Sequence, residues 1–495
     1  MGLLIGDLFR RSAANTPGCV AASMGDRELS YADIDRTANR VAHRLLEQGI
    51  ARGDRVLWWG DTSLEVVPVF AALAKLGAVF APLNAHLGVD EAEDVARLAR
   101  ARLLIASPSH AELAVDLAKR AGLPAVATLG PTDVAAGAVD LLAEHGDVPA
   151  TEPPVSGLDE RDPHVIFFTS GSTGRPKGVV LSHRVNHLRT AAGNFGDPER
   201  VVCMFPLFHM AGWTLALGAW QSGGEIVFVR SASAEELLDA AERRRATRLY
   251  CIPAVWARIL ATDFSARDLS SLTQVDTGTS ATPPELVAEL KRRFPGARTR
   301  IAYGSTEAGS GARLADEDLL RKPGSVGLPP PGVDLRIGEG GEVCLRSETM
   351  MDGYFDDPEA TARALVDGWY HTGDVGVLDD EGYLSIVGRV RDIIRTGGET
   401  VGPGEVEDAL RDHPGVAEVA VVGIADPQWG EVVCAVIVAA SGGAPTLDEL
   451  SVHCEGRLAR FKRPRRLEVV EALPRTAATG QVQRSLLVER ILASG

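Results

Sequence analysis

Apolar residues at positions 34, 38, 41, 42, 45 and 46 recur at the spacing of one helix face. Ser30 with Asp33 ahead of them makes a capping-box start, and Gly49 closes the segment. Before this helix, the runs 19–24 and 28–29 flank the turn Gly25-Asp26 and predict a small hairpin. After it the pattern alternates: a strand over 55–59, a helix over 64–76, a strand over 78–82. Further short apolar runs follow at 102–105, 125–128, 200–205, 225–229, 248–252 and 274–276. Strands separated by helix-length segments predict an α/β fold, with parallel sheets carrying helices on their faces. The polar, Pro- and Gly-containing stretch 143–163 reads as a surface linker.

Past Gly324 the texture changes to short strands between Gly-rich turns, at 338–346 and 382–387. From Ile393 an α+β pattern takes over: helix 403–411, strands 416–422 and 431–438, helix 446–458, strand 466–470. A boundary at 388–392 divides the chain into a large domain, 1–388, and a small mobile one, 389–495. No fixed-period repeat is present. A length of 495 residues also calls for more than one core.

Composition narrows the function. A net charge of −16 opposes a general nucleic-acid binder, which needs a basic field. Cysteines 19, 203, 251, 344, 434 and 454 form no C-x-x-C and no zinc-spaced cluster, as expected of reduced thiols in a cytoplasmic protein. The N-terminus lacks a signal-peptide pattern. The longest apolar region, 64–83, is broken by Glu65, Pro68 and Lys75, so no membrane span is expected.

The chemistry centres on residues 164–182. The apolar run Val165-Ile166-Phe167-Phe168 opens into Thr169-Ser170-Gly171-Ser172-Thr173-Gly174, then Arg175-Pro176-Lys177-Gly178 and a second β-branched run. Backbone N–H groups and hydroxyls of such a loop can wrap phosphate oxygens, with Lys177 adding a point charge. It is no Walker A loop, because Pro176 precedes the lysine and Gly178 follows it. The string 169–178 resembles the phosphate-binding signature of the adenylate-forming superfamily, which includes acyl-CoA synthetases.

Further stretches resemble that superfamily in the same order. Residues 206–213, PLFHMAGW, are similar to the segment beside the acyl pocket, which implies that His209 gates or lines it and that Trp213 forms a wall, with plain core packing the alternative for both. Gly278-Thr279-Ser280-Ala281 stands where relatives carry a Gly-Gly-Ala-Pro-like run against adenine; the match is partial, and Thr279, Ser280 and Gly304 become substrate- or nucleotide-facing candidates. In Tyr303-Gly304-Ser305-Thr306-Glu307 the resemblance implies Tyr303 on adenine, Thr306 on the α-phosphate and Glu307, with Thr169, on Mg²⁺. A hard cation with oxygen ligands suits the attack of one anion on another. Asp374, in Trp369-Tyr370-His371-Thr372-Gly373-Asp374, is implied to accept from both ribose hydroxyls, and its two oxygens match two O–H donors. Arg389 would contact ribose or phosphate, Arg391 would serve as the hinge, and Gly397, Gly398 and Glu399 would line a CoA tunnel.

One departure stands out. Relatives end in a Pro-x-Thr-x-x-Gly-Lys run whose lysine bridges carboxylate and α-phosphate, but residues 474–481 read PRTAATGQ, with Gln481 in its place. An amide donates hydrogen bonds without charge, and loss of one oriented donor costs on the order of 10²–10³ in rate. Substitution, divergence with Arg475 or Arg484 compensating, and specialisation away from adenylation all remain open. Arg457, Arg460, Lys462, Arg463, Arg465 and Arg466 make a basic cluster, either a solvated face or a dock for CoA phosphates or an acidic carrier protein.

The resemblance implies a large N-terminal domain of stacked mixed sheets with a small barrel-like part, and a mobile C-terminal domain. It also implies an acyl- or aryl-CoA synthetase using ATP, Mg²⁺ and CoA on a small carboxylic acid. Alternatives are a carrier-protein thiol as acceptor, nitrite as the activated anion in diazotisation, and a weakly catalytic nucleotide-binding homologue. A homodimer is the expected assembly.

Overall fold

The computed structural model describes residues 2–133, 138–143, 148–170, 176–191, 198–396, 399–455, 457–476 and 480–494. The chain clusters into two compact units. Met1–Arg321, Pro329–Val333 and Arg346–Tyr370 make the first; Lys322–Leu328, Asp334–Leu345 and His371–Gly495 make the second. The short strands in the middle of the chain therefore fall largely in the unit that holds the C-terminus.

The first unit contains two eight-stranded sheets. In one, Arg200–Cys203, Glu225–Phe228, Arg248–Tyr250, Gln274–Gly278 and Arg298–Ser305 run parallel, and Gly309–Leu314 turns back antiparallel at the edge. In the other, Arg55–Trp59, Val79–Leu83, Leu103–Ala106 and Val126–Thr128 are parallel. The hairpin Pro163–Ser170 with Pro176–Ser182 continues that sheet, and Gly353–Tyr354 forms its edge. The parallel alternation and the strand bounds agree with the hydrophobic pattern to within a few residues. Helix Tyr31–Glu47 begins at the expected capping box, with Ser30 and Asp33 each bonded to the other's backbone.

Every residue of helix Val66–Leu76 is buried. A helix apolar all round must be covered on all sides, and its Phe70 stacks on Trp213 at 4.0 Å between centroids. Lys75 at its end is buried too. Its Nζ is held by Asp35 at 2.7 Å, Asn39 at 2.6 Å and Glu152 at 2.9 Å, so the buried charge is compensated.

In the second unit, Val416–Asp426 and Gly430–Ala439 form a long antiparallel pair, extended by Ile394–Thr396 and Glu399–Val401 and by the parallel strand Arg466–Val469. Alternation sends Val421, Val433, Ala435 and Ile437 to one core and Ala420, Val422, Cys434 and Val436 to another. Helix Pro403–Arg411 packs on the first through Val406 and Leu410; Arg484–Ser494 packs on the second through Leu487 and Ile491. The helix expected over 446–458 ends at His453. No helix among the described residues is long and apolar enough to cross a membrane.

Candidate functional site

In the first unit the candidate residues lie at the edges of the two sheets. The phosphate-loop hairpin brings Thr169 opposite Lys177 across its two strands. Gly171, Ser172, Thr173 and Gly174, at its turn, lie outside the described residues, as does the side chain of Ser170. The half-buried Lys177 holds its Nζ 4.7 Å from the centroid of the Tyr354 ring, a cation–π contact. Tyr354 sits on the edge strand beside that hairpin, and its hydroxyl donates to Glu307 Oε1 at 3.2 Å. Burial, then the neighbouring Glu307 charge, pushes the Tyr354 phenol up, so it remains a donor.

Glu307 occupies the turn between strands Arg298–Ser305 and Gly309–Leu314. Arg189, on helix His183–Ala191, fastens this turn from below. It donates to Thr306 O at 2.9 Å, Glu307 O at 3.0 Å and Thr349 O at 2.7 Å. Desolvation lowers the Arg189 pKa to about 10, which leaves it charged at neutral pH. Met351 N adds a bond to Glu307 O at 2.7 Å. Gly304 has no room for a side chain, because a Cβ would lie 2.1 Å from Gly309 O. Tyr303 and Thr306 flank it, half-buried.

Strand Gln274–Gly278 ends in strained backbone. Gly278 has φ +154°, and a Cβ there would meet Ala302 O at 2.2 Å. Thr279 follows at φ +67°, the left-handed region that a β-branched residue rarely adopts, with its hydroxyl on Gly278 O at 2.6 Å. Ser280 is exposed. Below them, buried Asp276 pairs with Arg248 at 2.7 Å and Arg300 at 3.1 Å, which ties three neighbouring strands together.

His209 caps helix Met210–Gln221: its Nδ1 accepts from Ala211 N at 3.2 Å, which leaves the proton on Nε2. Desolvation drops its pKa to about 4, so the ring is neutral at physiological pH. It stacks on Phe205, which also meets Tyr250. Of the two readings of Trp213, core packing fits its surroundings: at 1 % exposure it stacks on Phe70, and its Nε1 donates to Leu207 O at 2.6 Å.

In the second unit, Asp374 and Arg389 are cross-strand partners, with Nε 3.1 Å from Oδ1. Arg391 is half-exposed, 3.5 Å from Asp392. Gly397 and Gly398 lie outside the described residues, and Glu399 is an exposed strand residue opposite Thr396. Gln481 is exposed, and its backbone is bonded to Thr476: Thr476 N donates to Gln481 O at 2.8 Å, and Gln481 N to Thr476 Oγ1 at 3.1 Å. Arg475 is bonded to Gly480 O and Glu418, and Arg484 to Val421 O and Glu407. In the basic cluster, Arg457, Lys462, Arg463 and Arg466 each have an acidic partner, and Arg465 lies over Trp429.

Arg189 and Tyr354 were not singled out by the sequence. A lone arginine on a polar helix reads as solvated, and its acceptors lie 117 to 160 positions away. Tyr354 carries one local signal, the preceding Gly353 at φ +147°, which marks a special backbone position without naming a role.

Two family models match the chain. The family model described as AMP-binding enzyme matches residues 9–355, and that described as AMP-binding enzyme C-terminal domain matches residues 405–479. A feruloyl-CoA synthase from Amycolatopsis sp is 35% identical over 497 residues, covering 96% of this chain and 97% of the relative. An indoleacetate–CoA ligase from Aromatoleum aromaticum is 34% identical, covering 96% and 95%. Among solved structures, the amide bond synthetase McbA from Marinactinospora thermotolerans superposes with TM-score 0.89 at 30% identity, covering 98% of this chain and 99% of that one.

Proposed function

We propose, since the chain belongs to the AMP-binding enzyme family, specific roles for its residues in the family's chemistry and an aryl-bearing substrate. The protein is an AMP-forming acid–thiol ligase: it activates a carboxylic acid with ATP and transfers the acyl group to CoA. A carboxylate oxygen attacks the α-phosphorus, the bond to pyrophosphate breaks, and an acyl-adenylate remains. The CoA thiol then attacks the acyl carbon and AMP leaves.

The observation that carries the assignment of roles is the line Lys177–Tyr354–Glu307. It presents an ammonium and a hard carboxylate oxygen at neighbouring sheet edges, the pair of charges a magnesium triphosphate requires. Glu307 and Thr169 are oxygen donors that fit Mg²⁺, which when bound neutralises charge on the phosphates. Lys177 meets the phosphate oxygens, Thr306 the α-phosphate, and Tyr303 the adenine. Asp374 takes the ribose hydroxyls, in exchange for its present pairing with Arg389. His209, neutral and fixed as the Nε2–H tautomer, offers a donor to the incoming carboxylate without repelling or trapping it. Gln481 orients the α-phosphate through its amide, and a turn of the part beyond residue 388 about Arg391 brings residues 397–399 toward the thiol.

The feruloyl-CoA synthase and indoleacetate–CoA ligase, 35% and 34% identical to this chain, support an aryl or arylalkyl acid. A carrier-protein thiol is the second acceptor to test, because a fatty acid–acyl-carrier-protein ligase is 33% identical to this chain. A cytoplasmic setting, with all six cysteines free, and a homodimer belong to the same proposal. The test is mass spectrometry of products from a mixed pool of aryl, fatty and dicarboxylic acids with ATP and CoA. Aryl-CoA and AMP are expected. Preference for a fatty or dicarboxylic acid overturns the substrate class, and ATP bound away from Glu307 and Asp374 in a crystal overturns the roles.

A further inference from the structure

On strand Glu342–Ser347, residues 342 and 344 point to the same face, and His371 stands on the neighbouring strand Trp369–Leu378. Among the described residues these three bring a carboxylate oxygen, a thiol sulfur and an imidazole nitrogen within 4.8 Å of one another. His371 Nδ1 lies 2.8 Å from Glu342 Oε2 and 3.8 Å from Cys344 Sγ. The thiol is fully buried, while the other two are half-buried and give access from solvent. The Gly338 backbone approaches the sulfur closely, since a Cβ there would lie 3.1 Å from Sγ, and the Arg336 side chain also reaches the thiol, so a bound cation must displace it.

We propose that Glu342, Cys344 and His371 form a binding site for a borderline divalent cation of the zinc class, separate from the magnesium carried on the triphosphate. The donor set makes the selection. Sulfur and imidazole suit zinc or cobalt and do not suit magnesium, which takes oxygen ligands. Metal distances of about 2.3 Å to sulfur and about 2.0–2.1 Å to nitrogen and oxygen place tetrahedral ligand atoms roughly 3.3–3.6 Å apart. The sulfur–nitrogen gap is already close to that, and the nitrogen–oxygen gap must open by about half an ångström. Binding releases the thiol proton to solvent and moves the imidazole proton to Nε2. Three protein ligands leave a fourth position for water, which makes the site exchangeable.

Occupancy has a route to the reaction. Glu342 Oε1 accepts from Gly373 N at 2.9 Å, and Thr372 Oγ1 donates to Val343 O at 2.8 Å. These bonds set the backbone that presents Asp374, so a cation drawing on Glu342 disturbs it and weakens nucleotide binding. That consequence rests on the proposed role of Asp374; the metal site itself does not.

The experiment uses the full-length protein washed with chelator and titrated with Co²⁺, without nucleotide. One cobalt per chain and a thiolate-to-cobalt charge-transfer band are expected, with Zn²⁺ displacing both. Cys344→Ala abolishes the band. His371→Gln weakens binding at least about tenfold, as removal of even an outer partner of a metal ligand does. Absence of the band from the native chain, or its persistence in Cys344→Ala, overturns the site. Should Cys344→Ala unfold, His371→Gln gives the same reading: an unchanged affinity overturns the site. In a separate assay Zn²⁺ raises the KM for ATP of the native enzyme but not of Cys344→Ala. Inhibition that persists in the variant overturns the coupling to Asp374, and since cobalt binding is read without ATP, failure of the nucleotide roles is distinguishable from failure of the site.

Discussion

The turn bearing Glu307 and the turn bearing Gln481 sit in different units and are held in opposite ways. Glu307 is fastened from three directions: Arg189 and Met351 on its carbonyl, Tyr354 on its carboxylate. Gln481 is held by local bonds, to Thr476 and by Arg475 on Gly480. Long-range bracing goes to the residue that must stay put. Gln481 keeps its two bonds to Thr476 while its side chain is exposed. Neither bond uses the side chain, so both can persist with a cation in place of the amide.

The severest test of this contrast is Glu307→Ala. Pyrophosphate exchange should fall by about 10²–10³, as on losing an oriented electrostatic partner, with the magnesium requirement raised. An unchanged rate would remove Glu307 from the chemistry. Gln481→Lys runs the other way: restoring charge on an intact turn should raise exchange by about tenfold to a hundredfold. No gain would mean that the turn, or Arg475 and Arg484, already supplies what the lysine would.

Tyr354→Phe comes next, with an expected fall of about tenfold in kcat/KM for ATP, the worth of one hydrogen bond to a charged group. Tyr354→Leu, which also removes the ring under Lys177, should lose more. Equal losses would mean that the cation–π contact contributes nothing. Arg189→Met should match Tyr354→Phe in magnesium dependence if both act through Glu307, and in a Glu307→Ala background neither should have further effect.

The smallest effect concerns acid stability in the first unit. Burial lowers the pKa of His183 to about 4 and that of its stacked neighbour His164 well below the usual value. Both rings titrate normally when unfolded, so the unfolded chain binds the extra protons as pH falls. Stability should be full above about pH 6.5 and decline toward pH 4, by at most about 1.4 kcal/mol per pH unit for each ring. Melting of His183→Asn across that window should be flatter; a slope equal to the native one would place the acid lability elsewhere.

Much of this was legible from residue order. The capped helix, the alternating strands, the phosphate hairpin and residues 303–307 follow from local spacing and from motifs whose chemistry is local. For Trp213 pocket wall and core packing both stood, because a motif says nothing about which neighbour a ring meets; Phe70, 143 positions earlier, stacks on it. Arg189 and Tyr354 escaped for a similar reason, since each acts by touching a distant carbonyl or carboxylate. The end of the helix at His453 also escaped, although Gly456 is a poor helix former, because the apolar spacing runs on to Leu458.

The segment Val66–Leu76, apolar except for Lys75, has a consequence for synthesis. It leaves the ribosome long before Trp213, against which it finally stacks, has been translated. Helices Ile5–Asn15 and Tyr31–Glu47 are already made and can cover most of it, but for roughly 140 residues of elongation the side that carries Phe70 waits for its ring. Any split of this protein for expression in pieces has to keep Phe70 and Trp213 on the same fragment.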